Sequence, residues 1–155
     1  MTALYRLDTS AFIEAWHRLY PRDVFPGFWE RLNNWIADGS IFASDEVYRE
    51  IAKIDDDLHR WLMARKSIFR PLDEEVQVAA TGILETFPRL VGEAKQRSLA
   101  DPWVIAHAHI TKATVVTQEN PGNLQNPKIP VVCAELGIPC IRVVELLRQK
   151  KATFK

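Results

Sequence analysis

Two hydrophobic patterns alternate along this chain. Short apolar runs, such as Ala3-Leu4-Tyr5-Arg6-Leu7, Ser40-Ile41-Phe42-Ala43 and Ala113-Thr114-Val115-Val116-Thr117, follow no helical period and read as buried strands. Between them, apolar residues return every three or four positions. Phe25, Phe28, Trp29, Leu32 and Ile36 predict an amphipathic helix that Asp38-Gly39 ends. Val47, Ile51, Ile54, Leu58, Trp61 and Leu62 share one face of a helix that Asp55-Asp56-Asp57 is expected to break in two. Val76, Ala79, Ala80, Ile83, Leu84 and Phe87 mark another helix, and 103–110 is apolar nearly all round except for His107 and His109, so that helix is expected to be buried.

The connections follow from turn chemistry. Thr9 or Ser10 is expected to cap a helix carrying Phe12, Ile13 and Trp16, and Ser44 or Asp45 to cap the one after the second strand. Residues 67–72 read as extended because the residue before Pro71 avoids the helical region. Residues 92–99 read as a loop or loose turn, Asn120-Pro121-Gly122 as a turn, and 125–130 as loop. A short helix over 131–136, a last strand over 138–143 and a last helix over 144–151 complete the chain. Strands alternating with helices predict a three-layer α/β/α fold around a central parallel sheet, formed by residues 1–155 as a single domain.

Composition adds limits. At 155 residues, 47% hydrophobic and 26% charged, the chain is neither disordered nor long enough for several domains. No apolar run is long enough to span a membrane, and no secretory leader is expected at the start. Cys133 and Cys140 are too few for a disulfide framework, and a reducing cytoplasm is the expected location. With 20 Lys+Arg against 20 Asp+Glu the chain lacks the basic excess of a protein that coats nucleic acid, though local contact with nucleic acid stays open.

In a parallel sheet the site lies at the carboxyl ends of the strands. There the sequence is acidic and hydroxylic: Asp8-Thr9-Ser10 after the first strand, Ser44 and Asp45 after the second with Glu50 one to two turns on, Asp101 opening the buried helix, and Thr117-Gln118-Glu119 after the next strand. Acids converging at one sheet end repel unless a cation neutralises them, and oxygen donors select Mg²⁺ or Mn²⁺ over zinc. Each acid also has an ordinary reading: Asp101 before Pro102 suits a helix N-cap, Glu50 a helix surface, and Glu119 a solvated turn. His107 and His109 lie two apart on a helix and so point to different sides. No G-x-S-x-G elbow or P-loop lysine motif is present. An aspartyl phosphatase would call for a second Asp two residues after Asp8, where Ser10 stands.

The segments Leu7-Asp8-Thr9-Ser10, Glu46-Val47-Tyr48-Arg49-Glu50-Ile51, Ala100-Asp101-Pro102-Trp103-Val104-Ile105-Ala106 and Val115-Val116-Thr117-Gln118-Glu119, in that order, resemble a PIN domain, most of all PIN proteins that act as toxins of toxin–antitoxin pairs. The resemblance implies a PIN-like fold and a Mg²⁺- or Mn²⁺-dependent endoribonuclease that hydrolyses RNA, forms a homodimer and is held inactive by an antitoxin protein. It implies Asp8, Glu50, Asp101 and Glu119 as the catalytic acids, with Asp8, Asp101 and Glu119 as metal ligands and Thr9, Ser10 and Thr117 as supporting hydroxyls. Glu46 competes with Glu50 for the second place; Val47, three residues before Glu50, favours Glu50. The fourth position departs from the many members that carry Asp there. A catalytically silent PIN-like module that binds a protein partner is the alternative. The aromatic-rich stretch 21–35 and Trp61 are the face on which dimerisation is expected.

Overall fold

β1 (Tyr5–Leu7) is the middle strand of a five-stranded, all-parallel sheet, and its neighbours set where every candidate residue falls. The computed structural model describes residues 3–71, 73–90, 101–123, 125 and 127–154. β1 leads into α1 (Thr9–Glu14), which winds on into a π turn over Ala15–Leu19, then α2 (Pro26–Ala37) and β2 (Ile41–Ser44). α3 (Asp45–Ile54), α4 (Asp56–Met63), a 3₁₀ turn over Lys66–Ile68 and β3 (Phe69–Arg70) follow. α5 (Glu74–Thr86) and α6 (Asp101–Thr111) come next, then β4 (Thr114–Val116), α7 (Ile129–Leu136), β5 (Cys140–Ile141) and α8 (Val143–Gln149). The spatial order is β3-β2-β1-β4-β5, and each neighbouring pair is parallel.

Alternation along β1 separates the two faces. Tyr5 turns to one side, where its hydroxyl donates to Gln149 Oε1 on α8 at 2.9 Å. Arg6 turns to the other, where Phe42 and the α6 residue His107 lie. Helices therefore cover both faces, as the alternation of strands and helices predicts. α6 is buried from Asp101 to Ala108 apart from half-buried Trp103, in keeping with its lack of a polar face.

Several local expectations change. The cap of α1 is Asp8, not Thr9 or Ser10: Asp8 is the last extended residue (φ −88°, ψ 175°), and its carboxylate accepts from Ala11 N, whereas Thr9 and Ser10 lie within the first turn. Ser44 stands at the cap of α3 but its side chain makes no cap bond. Asp55 does break the helix, closing α3 and capping α4 by accepting from Leu58 N at 2.9 Å. Residues 67–68 belong to a 3₁₀ turn, and only Phe69–Arg70 are strand. α7 begins at Ile129 with Pro130 in its first turn, so the loop expected over 125–130 stops earlier. It ends on Gly137 at φ 70°, with Ile138 N donating to Cys133 O. β5 keeps two residues because Gln118 Oε1 accepts from Val143 N and starts α8 there. The expectation for 92–99 lies outside the described residues.

The tryptophans of the expected dimer face are mainly core. Trp16, Trp29 and Trp61 pack ring against ring, Tyr20 stacks on Phe28 at 4.4 Å, and Trp29, Trp35 and Trp61 are buried. Val24 and Phe25 are the apolar residues of that stretch left exposed.

Candidate active site

The carboxyl end of β1 holds a closed hydrogen-bond network. Asp8 is 2% exposed. Its Oδ1 accepts from Ala11 N at 2.8 Å and from Ser10 Oγ at 2.8 Å; its Oδ2 accepts from Thr117 Oγ1 at 2.6 Å. Ser10 Oγ lies within 3.1 Å of Thr117 Oγ1 and accepts from Gln118 N at 2.9 Å. Thr117 Oγ1 accepts from Glu119 N at 3.1 Å. The register explains the meeting: Leu7 pairs with Val116, so the next residues out, Asp8 and Thr117, emerge side by side on one face.

Burial pushes the Asp8 carboxyl up to about 6, against the pull of its bonds to Thr117, Ala11 and Ser10; the charge of Glu50 adds a smaller upward push. Glu50, on α3, accepts from Thr9 Oγ1 at 2.5 Å, which ties the second acid to the residue beside Asp8. Glu46 instead pairs with Arg49 one turn along its own helix. Of the two competing acids, Glu50 is therefore the one joined to the network.

Asp101 opens α6 and is 3% exposed, and α6 packs against β1, β2 and β4. Glu119 is half-buried two residues past Thr117, and its carbonyl accepts from Arg142 Nη1 at 2.6 Å. The structure thus brings Asp8, Ser10 and Thr117 into direct contact and links Glu50 through Thr9. Among the described residues, no three acids, histidines or cysteines stand together as a ready metal cluster. His107 is buried and His109 exposed, on different sides of α6 as their spacing predicts. Cys133 and Cys140 are free thiols whose mutual hydrogen bond draws Cys140 down and drives Cys133 up.

Three contributors escape notice in the sequence. Gln118 donates its backbone N–H to Ser10 and accepts at the start of α8 through its side chain. Arg142 braces the Glu119 carbonyl. Arg6, inside the first strand two residues before Asp8, is 1% exposed. A glutamine in a turn and an arginine before a helix carry no distinguishing signal, but a cation inside an apolar run does.

Residues 5–154 match a family model described as "Domain of unknown function (DUF4411)". No curated protein matches the sequence. In fold, the chain is similar to one in a structure described as "Crystal structure of VapBC2 from Rickettsia felis bound to a DNA fragment from their promoter". The two share 12% identity at a TM-score of 0.51, over 90% of this chain and 98% of that one. At that identity the likeness is one of fold, a PIN-like α/β/α arrangement around a parallel sheet.

Proposed function

We propose that this chain, which belongs to the DUF4411 family, is a Mg²⁺- or Mn²⁺-dependent endoribonuclease acting as the toxin of a toxin–antitoxin pair. The observation that carries the reading is Asp8: a buried carboxyl at the carboxyl edge of the central strand, held by Ser10 and Thr117 and facing the charge of a second acid, Glu50. A buried acid pushed up towards neutral pH beside another acid lacks positive charge, which is the condition a divalent cation relieves.

The donor chemistry suits such a cation, because Asp8, Glu50, Asp101 and Glu119 offer carboxylate oxygens alone, although among the described residues no three of them stand together as a ready cluster. Asp8, Asp101 and Glu119 would hold it. Bound there, Mg²⁺ or Mn²⁺ would supply Lewis-acid stabilisation of charge on a phosphoryl group. The chain's own part is orientation. Ser10 and Thr117 fix the Asp8 carboxylate through both its oxygens, and Thr9 fixes Glu50. A carboxylate held by several donors loses little freedom when it engages a ligand, which favours a preorganised site.

The partner reading follows the fold likeness. The similar structure is a VapBC2 assembly on promoter DNA, which supports an antitoxin partner for this chain. The proposal further takes residues 1–155 as one PIN-like domain acting on RNA in the cytoplasm as a homodimer. A catalytically silent protein-binding module is the second reading, favoured by the lack of a ready three-acid cluster among the described residues. A nuclease assay with Mn²⁺ on the parent and Asp8→Asn separates the two. Cleavage by the parent alone supports the enzyme; equal cleavage by both, or by neither, rejects it.

A further inference from the structure

The buried side-chain polar atoms that lack a hydrogen-bond partner, among the described residues, belong to three residues: Arg6 (Nε, Nη1 and Nη2), Ser44 (Oγ) and His107 (Nδ1). They gather around one ring. The Arg6 guanidinium lies 4.1 Å from the centre of Phe42, and the His107 ring meets Phe42 edge-on at 5.9 Å. Ser44 stands two residues beyond Phe42 on the same face of β2. Arg70, paired in register with Ser44 on the edge strand β3, places a second guanidinium 5.6 Å from the same ring.

This arrangement is unusual in its charge. Arg6 is 1% exposed, and no acid pairs with it or with Arg70 among the described residues. Arg18, Arg49, Arg60 and Arg148, by contrast, each pair with an acid three or four residues away. A guanidinium keeps its proton inside a protein, so Arg6 and Arg70 bring two positive charges to one ring. A ring face offsets part of the burial of one cation, but it accepts none of the guanidinium hydrogen bonds. Buried donors without acceptors and two cations without an anion share one remedy, an oxyanion.

We propose that Arg6, Ser44, His107 and Arg70 form a phosphate-binding subsite on the β2–β3 side of Asp8. Four polar side chains set on one face by three strands and a helix suit a tetrahedral oxyanion better than a planar carboxylate, and guanidinium groups bind phosphate in bidentate fashion. The subsite shares its face of the sheet with Asp8. Arg6 is two residues before Asp8, and continuing the pairing of Arg6 with Phe42 brings Asp8 level with Ser44. If the ribonuclease reading holds, on which this part rests, the ligand is a backbone phosphate flanking the one cleaved. A free phosphate would satisfy the same donors. Arg70 is the exposed member, and so the one a ligand meets first.

Two variants test the subsite. Arg70→Gln changes an exposed residue and leaves folding intact, and Arg6→Met removes the buried charge while keeping an unbranched side chain. Melting is followed in inorganic phosphate and in chloride of equal ionic strength. The subsite requires phosphate to raise the parent's melting point by about 2–4 °C, with the rise lost in both variants. It also requires Arg6→Met in chloride to melt at or above the parent, because an uncompensated buried charge has gone. Binding of a labelled single-stranded RNA without divalent metal should weaken about tenfold in Arg70→Gln, with a salt slope lower by about one. An equal phosphate rise in parent and variants, or none in the parent, overturns the subsite. A rise lost in the variants with RNA affinity unchanged makes free phosphate the ligand and overturns the nucleic-acid assignment. RNA cleavage by a parent indifferent to phosphate overturns the subsite alone. A phosphate-binding parent that never cuts RNA in Mn²⁺ overturns the ribonuclease alone.

Discussion

Asp8 and Arg6 are buried charged residues two positions apart on one face of the central strand, and the fold treats them oppositely. Asp8 receives hydrogen bonds from a backbone amide and two hydroxyls and caps a helix. Arg6 donates none among the described residues, and rests on an aromatic ring with a second cation nearby. The contrast teaches that burial alone does not mark function. The bonds to Asp8 serve the fold as well as any chemistry, since they join β1, α1 and the end of β4. The N–H groups of Arg6 make no hydrogen bond to the fold among the described residues. An acid with dual duty is tested by separating shape from charge, and a cation without partners by supplying one.

The largest expected effect comes from that separation at Asp8. Asp8→Asn should abolish Mn²⁺-dependent RNA cleavage while, without metal, melting close to the parent below pH 4 and at or above it near neutral pH. Asn still caps a helix, and the Ser10 and Thr117 hydroxyls can reverse from donor to acceptor. Asp8→Ala should also lose about 1–3 kcal/mol of stability, because the cap and both hydroxyl partners go. Denaturation beside a nuclease assay reads both. If the Asn variant loses as much stability as the Ala variant, Asp8 is held by its charge for structural reasons, and the contrast with Arg6 weakens.

The next effect is in pH. The folded Asp8 carboxyl, raised to about 6 from an ordinary value of 3.8, keeps a proton that the unfolded chain has already released. Its contribution therefore makes the metal-free protein less stable as pH rises from about 4 to about 6, by at most about 3 kcal/mol, with no further change above. Subtracting the curve for Asp8→Asn isolates this part, and the difference should disappear below pH 4. Metal affinity should move the opposite way, rising through pH 6 as the proton leaves. A flat difference curve would show that the Asp8 bonds offset its burial completely.

Thr117→Val should cost about 1–2 kcal/mol and push the Asp8 carboxyl further up, since it removes a bond to the charged form. Carboxyl-carbon NMR titration reads the shift directly, and a lower Asp8 value would contradict the network. The smallest effect should come from Glu46→Gln, which breaks a surface pair on one helix: less than about 0.5 kcal/mol, and cleavage unchanged. Glu50→Gln, beside it, should lower cleavage. If the two exchange roles, the second acid has been misassigned.

Periodicity by itself determined the order of strands and helices, the nearly all-round burial of α6 and the break at Asp55, because each is a local response to side-chain pattern. It also marked out Asp8, Ser10, Thr117 and Glu50, because the carboxyl ends of parallel strands are a defined place in this kind of fold. It did not reveal that Asp8 rather than Thr9 or Ser10 caps α1, since all three side chains are able to cap and only the backbone turn chooses. Between Glu46 and Glu50 the family resemblance, through Val47, favours Glu50, and periodicity adds nothing to that choice. Both are on α3, one turn apart, and the packing of α3 against α1 brings Glu50 to Thr9 while Arg49 takes Glu46. Arg6 was visible as a charge in an apolar run, but its isolation was not. A missing partner is a property of everything that packs around a group, and for Arg6 those neighbours come from β2, β3 and α6, brought together only by sheet order and register.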